Sequence, residues 1–164
     1  MILRPARPAD IAAIDTLLAR SYPRLLRADY PASVLVTALP RIVRAQPALI
    51  ASGTYFVIEE DGAIRAAGGW TRAAPGRGRS AAGTGNIRHV ATDPDQLRRG
   101  LASRLMDHVV ATARAAGMAR LDCLSTRTAR PFYAARGFRE IGPTEVSLGP
   151  GIVFPAIRMV REPI

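Results

Sequence analysis

A short segment rich in arginine and glycine, Arg98-Arg99-Gly100-Leu101-Ala102, follows a predicted strand and opens a predicted helix. Backbone N–H groups at a helix start have no partners within the helix, and the helix dipole adds partial positive charge there. Successive loop amides can also form a concave nest for an anion. Gly100 lets a ligand approach the backbone closely, and the two arginines can pair with negative charge. The segment is therefore a candidate phosphate-binding loop.

A glycine before a helix is common in ordinary turns, so the loop alone does not identify a phosphate-binding site. The segments on either side of the loop provide the further evidence. Thr92-Asp93-Pro94-Asp95 leads into the loop from a strand, and Ala129–Phe138 follows the next strand. With the loop, these segments resemble the GNAT superfamily of acetyl-CoA-dependent N-acetyltransferases, best over residues 86–142. The family pattern has glutamine or arginine, two residues, glycine, one residue, then glycine or alanine. Here Leu97 stands at the first position and Gln96 lies one residue early, so backbone amides would carry most of the phosphate binding.

The resemblance implies a mixed α/β fold with a central, mostly antiparallel sheet, splayed parallel central strands and helices on both faces. It implies that acetyl-CoA is the acyl donor and that its pantetheine arm lies between the splayed strands. A bulge in the first of these strands would direct a backbone N–H at the thioester carbonyl during attack by an amine. The coenzyme-binding positions carried over from the family are Val90, Ala91, Thr92, Leu97, Arg98, Arg99, Gly100, Leu101, Ala102 and Ser103.

Tyr133 is the general acid that the resemblance implies, because the family's Phe-Tyr pair often places a tyrosine near the coenzyme sulfur. Its proton would go to the departing thiolate. An aromatic pair such as Phe132 and Tyr133 also suits a short helix that packs on the core. Cys123 lies in an apolar strand and is expected to be a buried small hydrophobe, so direct attack of the amine is the simpler mechanism.

The general base is left open by the sequence. A water chain can serve, and so can His89, which titrates near neutrality when unperturbed. Strand alternation predicts that His89 lies on the opposite face from Arg88 and Val90. Glu59 and Glu60 are alternatives whose default interpretation is solvated surface. His108 is expected to be structural or exposed.

The elements that must position these residues follow from hydrophobic periodicity and turn residues. A helix with Ile11, Ile14, Leu17 and Leu18 on one face follows a short strand at Leu3–Pro5. The later predicted elements are a helical region at Ala32–Ala45 that Pro40 would kink or divide, a hairpin at Thr54–Trp70, a flexible basic loop at Thr71–Gly83, a strand at Gly85–Thr92, a helix at Leu101–Ala116 ended by Gly117, a strand at Arg120–Leu124, a short helix at Ala129–Arg136, and strands from Gly137 and at Ile152–Val160. Trp70 and the Arg77–Arg79 loop are candidates to border the acceptor pocket. The alternative for Trp70 is a place in the core.

Composition narrows the classes of function. The 164 residues, 48% hydrophobic and 22% charged, predict one folded domain over residues 1–164. The net charge is +10, and all 23 basic residues are arginine, which favours an anionic ligand. A nucleic-acid-binding module is the basic alternative, but no recognition-helix or RNA-binding pattern accompanies the charge. With one cysteine and two histidines, no metal site is expected.

The first residues lack a long apolar core, and no window reaches the roughly 18 apolar residues of a membrane helix, so a cytoplasmic protein with no membrane partner is expected. The acceptor is a small-molecule or peptide amine that the sequence leaves unidentified. Family members often pair, and the apolar C-terminal segment makes a homodimer possible. A GNAT-like domain that binds CoA as a regulatory or inactive module is the remaining alternative.

Overall fold

Seven strands of the protein form one sheet with the order β1-β2-β3-β6-β7-β9-β8. The computed structural model describes residues 1–76 and 78–164. The strands are β1 (Ile2–Pro5), β2 (Tyr55–Glu60), β3 (Ala63–Thr71), β4 (Ala73–Ala74), β5 (Gly78–Arg79), β6 (Thr84–Thr92), β7 (Arg120–Ser125), β8 (Arg139–Gly149) and β9 (Ile152–Arg161). The helices are α1 (Ile11–Leu26), α2 (Ala32–Ile42), α3 (Pro47–Ile50), α4 (Leu101–Ala115) and α5 (Arg130–Ala135), with 3₁₀ turns at Pro8–Asp10 and Pro94–Gln96.

The β2–β3 hairpin is buried on both faces, which explains its nearly continuous apolar sequence. Tyr55 and Val57 pack against α1, whereas the alternate residues Phe56 and Ile58 pack against α4. Since successive side chains of a strand point to opposite faces, helices must cover the sheet on both sides. The expected mixed α/β fold with helices on both faces is confirmed.

The helices divide between the two faces according to their apolar stripes. Ile14, Leu17 and Leu18 of α1 join a cluster that also contains residues of α3. On the opposite face, Leu105 and Val109 of α4 lie at the centre of the largest cluster and are fully buried. A third cluster joins α2 to β9. The predicted end of α4 is confirmed, because Gly117 adopts φ +86° just after the last turn.

β6 and β7 are the parallel pair in a sheet whose other neighbouring strands run antiparallel. They are paired only where Thr84–Asn86 meets Arg120–Asp122. Beyond Asn86 the remaining six residues of β6 have no register with β7, although both strands continue. The expected splay of the central parallel strands is therefore confirmed, and it leaves a backbone edge of β6 without a strand partner.

Two sequence-based expectations were wrong in detail. The segment Thr71–Gly83 is not simply a loop, because β4 and β5 pair as a short antiparallel ribbon within it. Arg77 lies outside the described residues. Pro40 does not divide α2 but lies in its last turn, where it removes the hydrogen bond to the Val36 carbonyl, and the helix ends two residues later at Ile42 rather than at Ala45. Within residues 1–76 and 78–164, no helix has the length and apolarity needed to cross a membrane.

Candidate functional site

The loop between β6 and α4 has a backbone suited to binding an anion. Arg98 and Gly100 adopt left-handed conformations with φ +62° and +76°, and α4 starts at the next residue, Leu101. The first helical hydrogen bond is donated by the Arg104 N–H to the Gly100 carbonyl. The N–H groups of residues 101–103 therefore precede the regular helical ladder and are available to a ligand.

The loop is open at Gly100, where a pyrophosphate would approach the backbone. No heavy atom lies within 4 Å of the place where a Cβ would stand, so open space faces the backbone. The left-handed φ is the reason for glycine at this position, since a side chain would be strained there. The residues present therefore fit an anionic group held by backbone amides, with the exposed Leu97 contributing no charge.

The two loop arginines are in different situations. The Arg99 guanidinium forms hydrogen bonds of 2.8 and 3.0 Å with the Glu60 carboxylate and also contacts Gln96. This pairing lowers the pKa of Glu60 and raises that of Arg99. Arg99 is thus already engaged with a carboxylate, whereas Arg98 is exposed at the loop surface.

Asp93 fixes the exit of β6 towards the loop. Its carboxylate is 1% exposed and accepts hydrogen bonds from Arg65 at 2.9 Å and Arg20 at 3.2 Å. It also accepts the backbone N–H of Asp95 at 3.0 Å, which caps the 3₁₀ turn. The Asp-Pro segment singled out in the sequence therefore has a structural role, because it ties the loop to both α1 and β3.

A β-bulge interrupts β6 next to the gap between the parallel strands. Ala67 pairs with Ala91 and Gly69 pairs with Arg88, so the two residues His89 and Val90 stand opposite the single residue Gly68. His89 adopts φ +43°, which fits the extra residue of the bulge. The bulge expected in this strand is present, and it turns a short piece of backbone away from the β3 ladder.

Gly68 signals this bulge in the sequence, although it belongs to none of the motifs described above. A Cβ on Gly68 would stand 2.9 Å from the Val90 side chain and 3.2 Å from the Val90 Cα. A glycine inside an otherwise apolar strand often marks a bulge or a close backbone approach. Gly68-Gly69 in the middle of β3 could have located the bulge in advance.

The expected coenzyme-binding residues are brought together along one path. Val90, Ala91 and Thr92 lie on the part of β6 that faces the gap, and the loop at residues 97–103 begins five residues after β6 ends. The Val90 side chain packs towards α4, and that of Ala91 packs towards α1. An extended ligand can therefore run along the free edge of β6 and end at the loop amides.

Tyr133 lies in α5 with its ring buried between two other aromatic rings. The ring centroids of Phe132 and Phe138 are each 5.3 Å away in edge-on contact, and Tyr133 is 5% exposed. Its hydroxyl lies next to the thiol of Cys123. Cys123 follows Asp122, which is the last residue of β7 that pairs with β6. Burial, reinforced by that thiol, raises the pKa of Tyr133 well above its usual value. The hydroxyl is therefore protonated at neutral pH and lies beside the point where the gap opens.

His89 is not where strand alternation places it. The bulge shifts its side chain to the same face as Arg88, and both side chains contact Gln46. Tyr55 donates a hydrogen bond of 2.8 Å to the His89 carbonyl from that face. Burial, together with the nearby Arg88 charge, lowers the pKa of His89 to about 4. The imidazole is therefore neutral at physiological pH, and its basicity is low.

The other candidate groups lie in structural contacts. Glu59 is paired with Arg4 at 2.7 Å. Phe56 is the β2 residue opposite Gly68 and hence level with the bulge, and Glu59 and Glu60 lie three and four residues further along β2. Trp70 is in the core, where its indole N–H bonds to the Thr112 hydroxyl at 3.1 Å, so it does not border a pocket.

Cys123 is buried as expected. Burial raises the pKa of its thiol to about 12. His108 packs edge-on against Phe56 with centroids 4.5 Å apart, which confirms a structural contact. Within the described parts of the chain, no three His, Cys, Asp or Glu side chains are grouped to bind a metal.

Several residues around the bulge were missed because they are distant in sequence. Gln46 before α3 contacts His89, Tyr55 of β2 bonds to the His89 carbonyl, and Tyr22 of α1 packs against the cluster that contains Tyr55. Burial raises the pKa of both tyrosines. A narrow crevice lies beside them, lined by Ala45, Gln46, Leu49, Ile50, Tyr55 and His89. No motif connects these positions, so only the packing of α1 and α3 on the sheet reveals them.

A family model described as "Acetyltransferase (GNAT) domain" matches residues 51–140. No curated protein matches the chain. Among solved structures, the GCN5-related N-acetyltransferase "Aminotransferase, Class-II" from Rhodopseudomonas palustris superposes with a TM-score of 0.79 at 21% identity, covering 98% of this chain and 94% of that one.

Two further structures are complexes with coenzyme A. The paia N-acetyltransferase from Thermoplasma acidophilum, in complex with coenzyme A, has a TM-score of 0.71 at 10% identity and covers 98% of both chains. The N-acetylglutamate synthase from Neisseria gonorrhoeae, complexed with coenzyme A and N-acetyl-glutamate, has a TM-score of 0.64 at 20% identity. That match covers 99% of this chain but 35% of the longer synthase. At these identities the likeness shows a shared fold.

Proposed function

Because the chain belongs to the GNAT acetyltransferase domain family, we propose that it transfers an acetyl group from acetyl-CoA to the amine of a small molecule or peptide. The observation that carries this proposal is the gap between β6 and β7. The gap lies beside a bulge on β6 and leads to a loop whose backbone fits an anion. These three features form one continuous path for an extended, phosphate-bearing acyl donor.

The backbone does most of the binding in this proposal. Loop amides at residues 97–103 hold the pyrophosphate at the start of α4, where the helix dipole favours negative charge. The free edge of β6 at Val90, Ala91 and Thr92 offers N–H and C=O groups to an extended amide-containing chain. A backbone N–H at the bulge polarises the carbonyl to be attacked.

The chemistry is a direct transfer between sulfur and nitrogen. Acetyl-CoA supplies the activated acetyl thioester; the new amide C–N bond forms as the C–S bond breaks. The Tyr133 hydroxyl donates a proton to the leaving sulfur, and its raised pKa keeps that proton in place at neutral pH. The proton lost by the amine passes to water or to the neutral His89 imidazole.

The relatives support the donor more directly than the acceptor. The Thermoplasma and Neisseria proteins, which share this fold, were solved in complex with coenzyme A. The Neisseria complex also contains N-acetyl-glutamate, an acetylated small molecule, and this supports a small amine as the acceptor. A cytoplasmic location, a single domain over residues 1–164 and a homodimer remain predictions.

Ligand-dependent thermal stabilisation tests the donor. A ligand that binds the folded state raises the melting temperature as its concentration exceeds its dissociation constant. Acetyl-CoA and CoA are both expected to stabilise the protein, whereas a generic DNA duplex is not. The absence of any shift at saturating acetyl-CoA would remove the proposed donor.

A thiol-release screen across amines then tests transfer. Amino acids, polyamines, peptides and aminoglycosides are incubated with acetyl-CoA, and free thiol is followed with a chromogenic disulfide. An increase in thiol that depends on one class of amine supports the proposal. Coenzyme binding without transfer to any amine would favour the regulatory or inactive alternative.

A further inference from the structure

Arg88 is a positively charged residue in a half-buried place next to the bulge. Its guanidinium donates hydrogen bonds to the Thr71 hydroxyl at 3.2 Å and to the Gln46 side-chain oxygen at 3.1 Å. Among the described residues, the two side-chain atoms that accept these hydrogen bonds are both uncharged oxygens. Burial lowers the pKa of Arg88, which reflects a charge removed from water without a compensating anion.

Two other partly buried arginines of the sheet, Arg4 and Arg65, have carboxylate partners. Arg4 bonds to Asp10 at 2.8 Å and to Glu59 at 2.7 Å, and Arg65 bonds to Asp93 at 2.9 Å. This contrast matters because a desolvated charge is costly unless an opposite charge compensates it. Arg88 is therefore the kind of residue that gains most from an anionic ligand.

The titratable groups nearest to Arg88 do not supply the missing negative charge. The His89 imidazole is neutral above pH 4, because burial and Arg88 itself lower its pKa to about 4. The Tyr55 hydroxyl is neutral because burial raises its pKa. The segment before α3 faces Arg88 with the uncharged side chain of Gln46, which contacts both Arg88 and His89. The surroundings of Arg88 are thus positive at neutral pH.

Arg88 lies on the face of the sheet away from the loop helix α4. Ile87 and Val90 flank the pair Arg88-His89 and pack with α4. The side chains of Arg88 and His89 instead contact Gln46, on the face covered by α1 and α3. The bulge that would hold the reacting carbonyl begins at the next residue. An amine that reaches the bulge from the α1 and α3 face therefore passes the guanidinium of Arg88.

We propose that Arg88 is a specificity-determining residue that binds a carboxylate of the acceptor, so that the substrate is an amino acid or another small amine with a carboxylate. This proposal rests on the acetyl-transfer function above. A planar guanidinium pairs with a carboxylate through two parallel hydrogen bonds, and this geometry also orients the ligand. Gln46 and Thr71 hold the guanidinium in place by their contacts with two of its nitrogens.

Matched acceptor pairs test the proposal. Each L-amino acid is compared with its α-carboxamide, which keeps the amine and side chain but removes the negative charge. With the wild-type protein, kcat/KM for the preferred amino acid should exceed that for its amide by about tenfold or more, the scale of one good charge pair. Equal or better use of the amides would overturn the proposal.

The variant Arg88→Gln assigns this preference to the residue. We expect it to raise KM for the amino acid about tenfold or more while leaving the amide nearly unchanged, and Arg88→Lys should restore part of the difference. Arg114→Gln, at an exposed position of α4, removes the same charge elsewhere and should leave the preference intact. A preference that survives in Arg88→Gln would contradict the assignment.

A binding measurement separates this proposal from the proposed function. N-acetyl amino acids and N-acetyl amino acid amides are compared as ligands of the wild-type protein and of Arg88→Gln by thermal shift in the presence of saturating CoA, which requires no turnover. Selective stabilisation by the carboxylates, lost in Arg88→Gln, supports the carboxylate site even if transfer is not detected. Turnover of amines without selectivity in either measurement overturns the carboxylate site and leaves acetyl transfer standing.

Discussion

The Tyr133 hydroxyl combines two properties that an acid for a leaving thiolate needs. It is protonated at neutral pH because burial raises its pKa, and it neighbours Cys123 where β6 and β7 separate. Tyr133→Phe keeps the ring that packs against Phe132 and Phe138 and removes only the hydroxyl. We expect kcat to fall about 100-fold or more, with little change in the dissociation constant of acetyl-CoA.

Tyr30→Phe is the matched control for this experiment. Its hydroxyl joins the Pro155 carbonyl and the Arg127 N–H at 2.8 Å each, away from Cys123. Removing it should lower the free energy of unfolding by about 1 kcal/mol without lowering kcat to a comparable degree. An unchanged kcat in Tyr133→Phe would show that Tyr133 only packs the core.

His89 makes the stability of the protein sensitive to acid. Its pKa in the folded protein is about 4, below the ordinary value of 6.5, so the unfolded chain binds the proton more readily. The stability contributed by the neutral imidazole is present above pH 6.5 and is lost as pH falls from 6.5 to 4. His89→Asn, which tolerates the positive φ, should reduce the loss between pH 7 and pH 5 by up to about 2 kcal/mol.

Chemical unfolding at the two pH values measures this effect. Other acidic groups contribute equally to both proteins, so the difference between wild type and His89→Asn isolates the imidazole. The same loss of stability in both proteins would contradict the low pKa assigned to His89.

At the scale of single residues, the sequence predicted the local backbone correctly where a residue lies in a motif, such as the helix start after Gly100, whereas the binding roles stay predictions. Gly100 and the Asp93 segment were identified because their neighbours in sequence form the loop. The face of His89 was wrong, since a single extra residue in β6 reverses the alternation. Arg88 gave no signal in sequence, because Thr71 and Gln46, the neutral partners of its guanidinium, are far from it along the chain.

The element that tests coenzyme binding best is α4, which has a left-handed glycine at each end. Gly100 and Gly117 have φ +76° and +86°, and no atom lies within 4 Å of a Cβ built on either one. Alanine at each position should therefore cost about 1 kcal/mol of stability through backbone strain alone. Only Gly100→Ala should also weaken CoA binding, by about tenfold, because strain there redirects the loop amides.

Calorimetric titration of CoA into the two variants provides the measurement. Similar losses of stability with unequal losses of affinity support a binding role for the N-terminal loop. Equal affinities in Gly100→Ala and wild type would place the coenzyme phosphates elsewhere.

Asp93 fixes the connection between β6 and this loop. The carboxylate is 1% exposed and pairs with Arg65 and Arg20, whereas the neighbouring Asp95 is 53% exposed in its own arginine pairs. Asp93→Asn should lower the free energy of unfolding by about 3 kcal/mol, because it leaves a partly buried guanidinium without its counter-charge. Asp95→Asn should cost no more than about 1 kcal/mol by the same denaturant titration, and equal costs would contradict the anchoring role.

Most elements were predictable because each has a clear local pattern. The β2–β3 hairpin has apolar runs around Asp61-Gly62, and α4 has an apolar stripe ended by Gly117. The β4–β5 ribbon was missed, since two-residue strands are too short for a period to be visible. α3 was missed for the same reason, although it supports the crevice beside the bulge.

At the scale of the whole molecule, the charge and the fold favour the same kind of ligand. The net charge is +10, because the 23 arginines outnumber the 13 acidic residues. A positive field raises the encounter rate with anions such as CoA and with carboxylate-bearing acceptors. The sequence alone indicated this preference but not its location, which depends on the parallel strands and the bulge.

The central claim is that the protein moves an acetyl group from acetyl-CoA to an amine. The most direct measurement uses acetyl-CoA with an isotopically labelled acetyl group, the amine identified by the thiol-release screen and mass spectrometry of the products. We predict that the labelled N-acetyl product accumulates in step with free CoA thiol, and that both fall together in Tyr133→Phe. Thiol release without labelled amide, or coenzyme binding with neither product, would contradict the account.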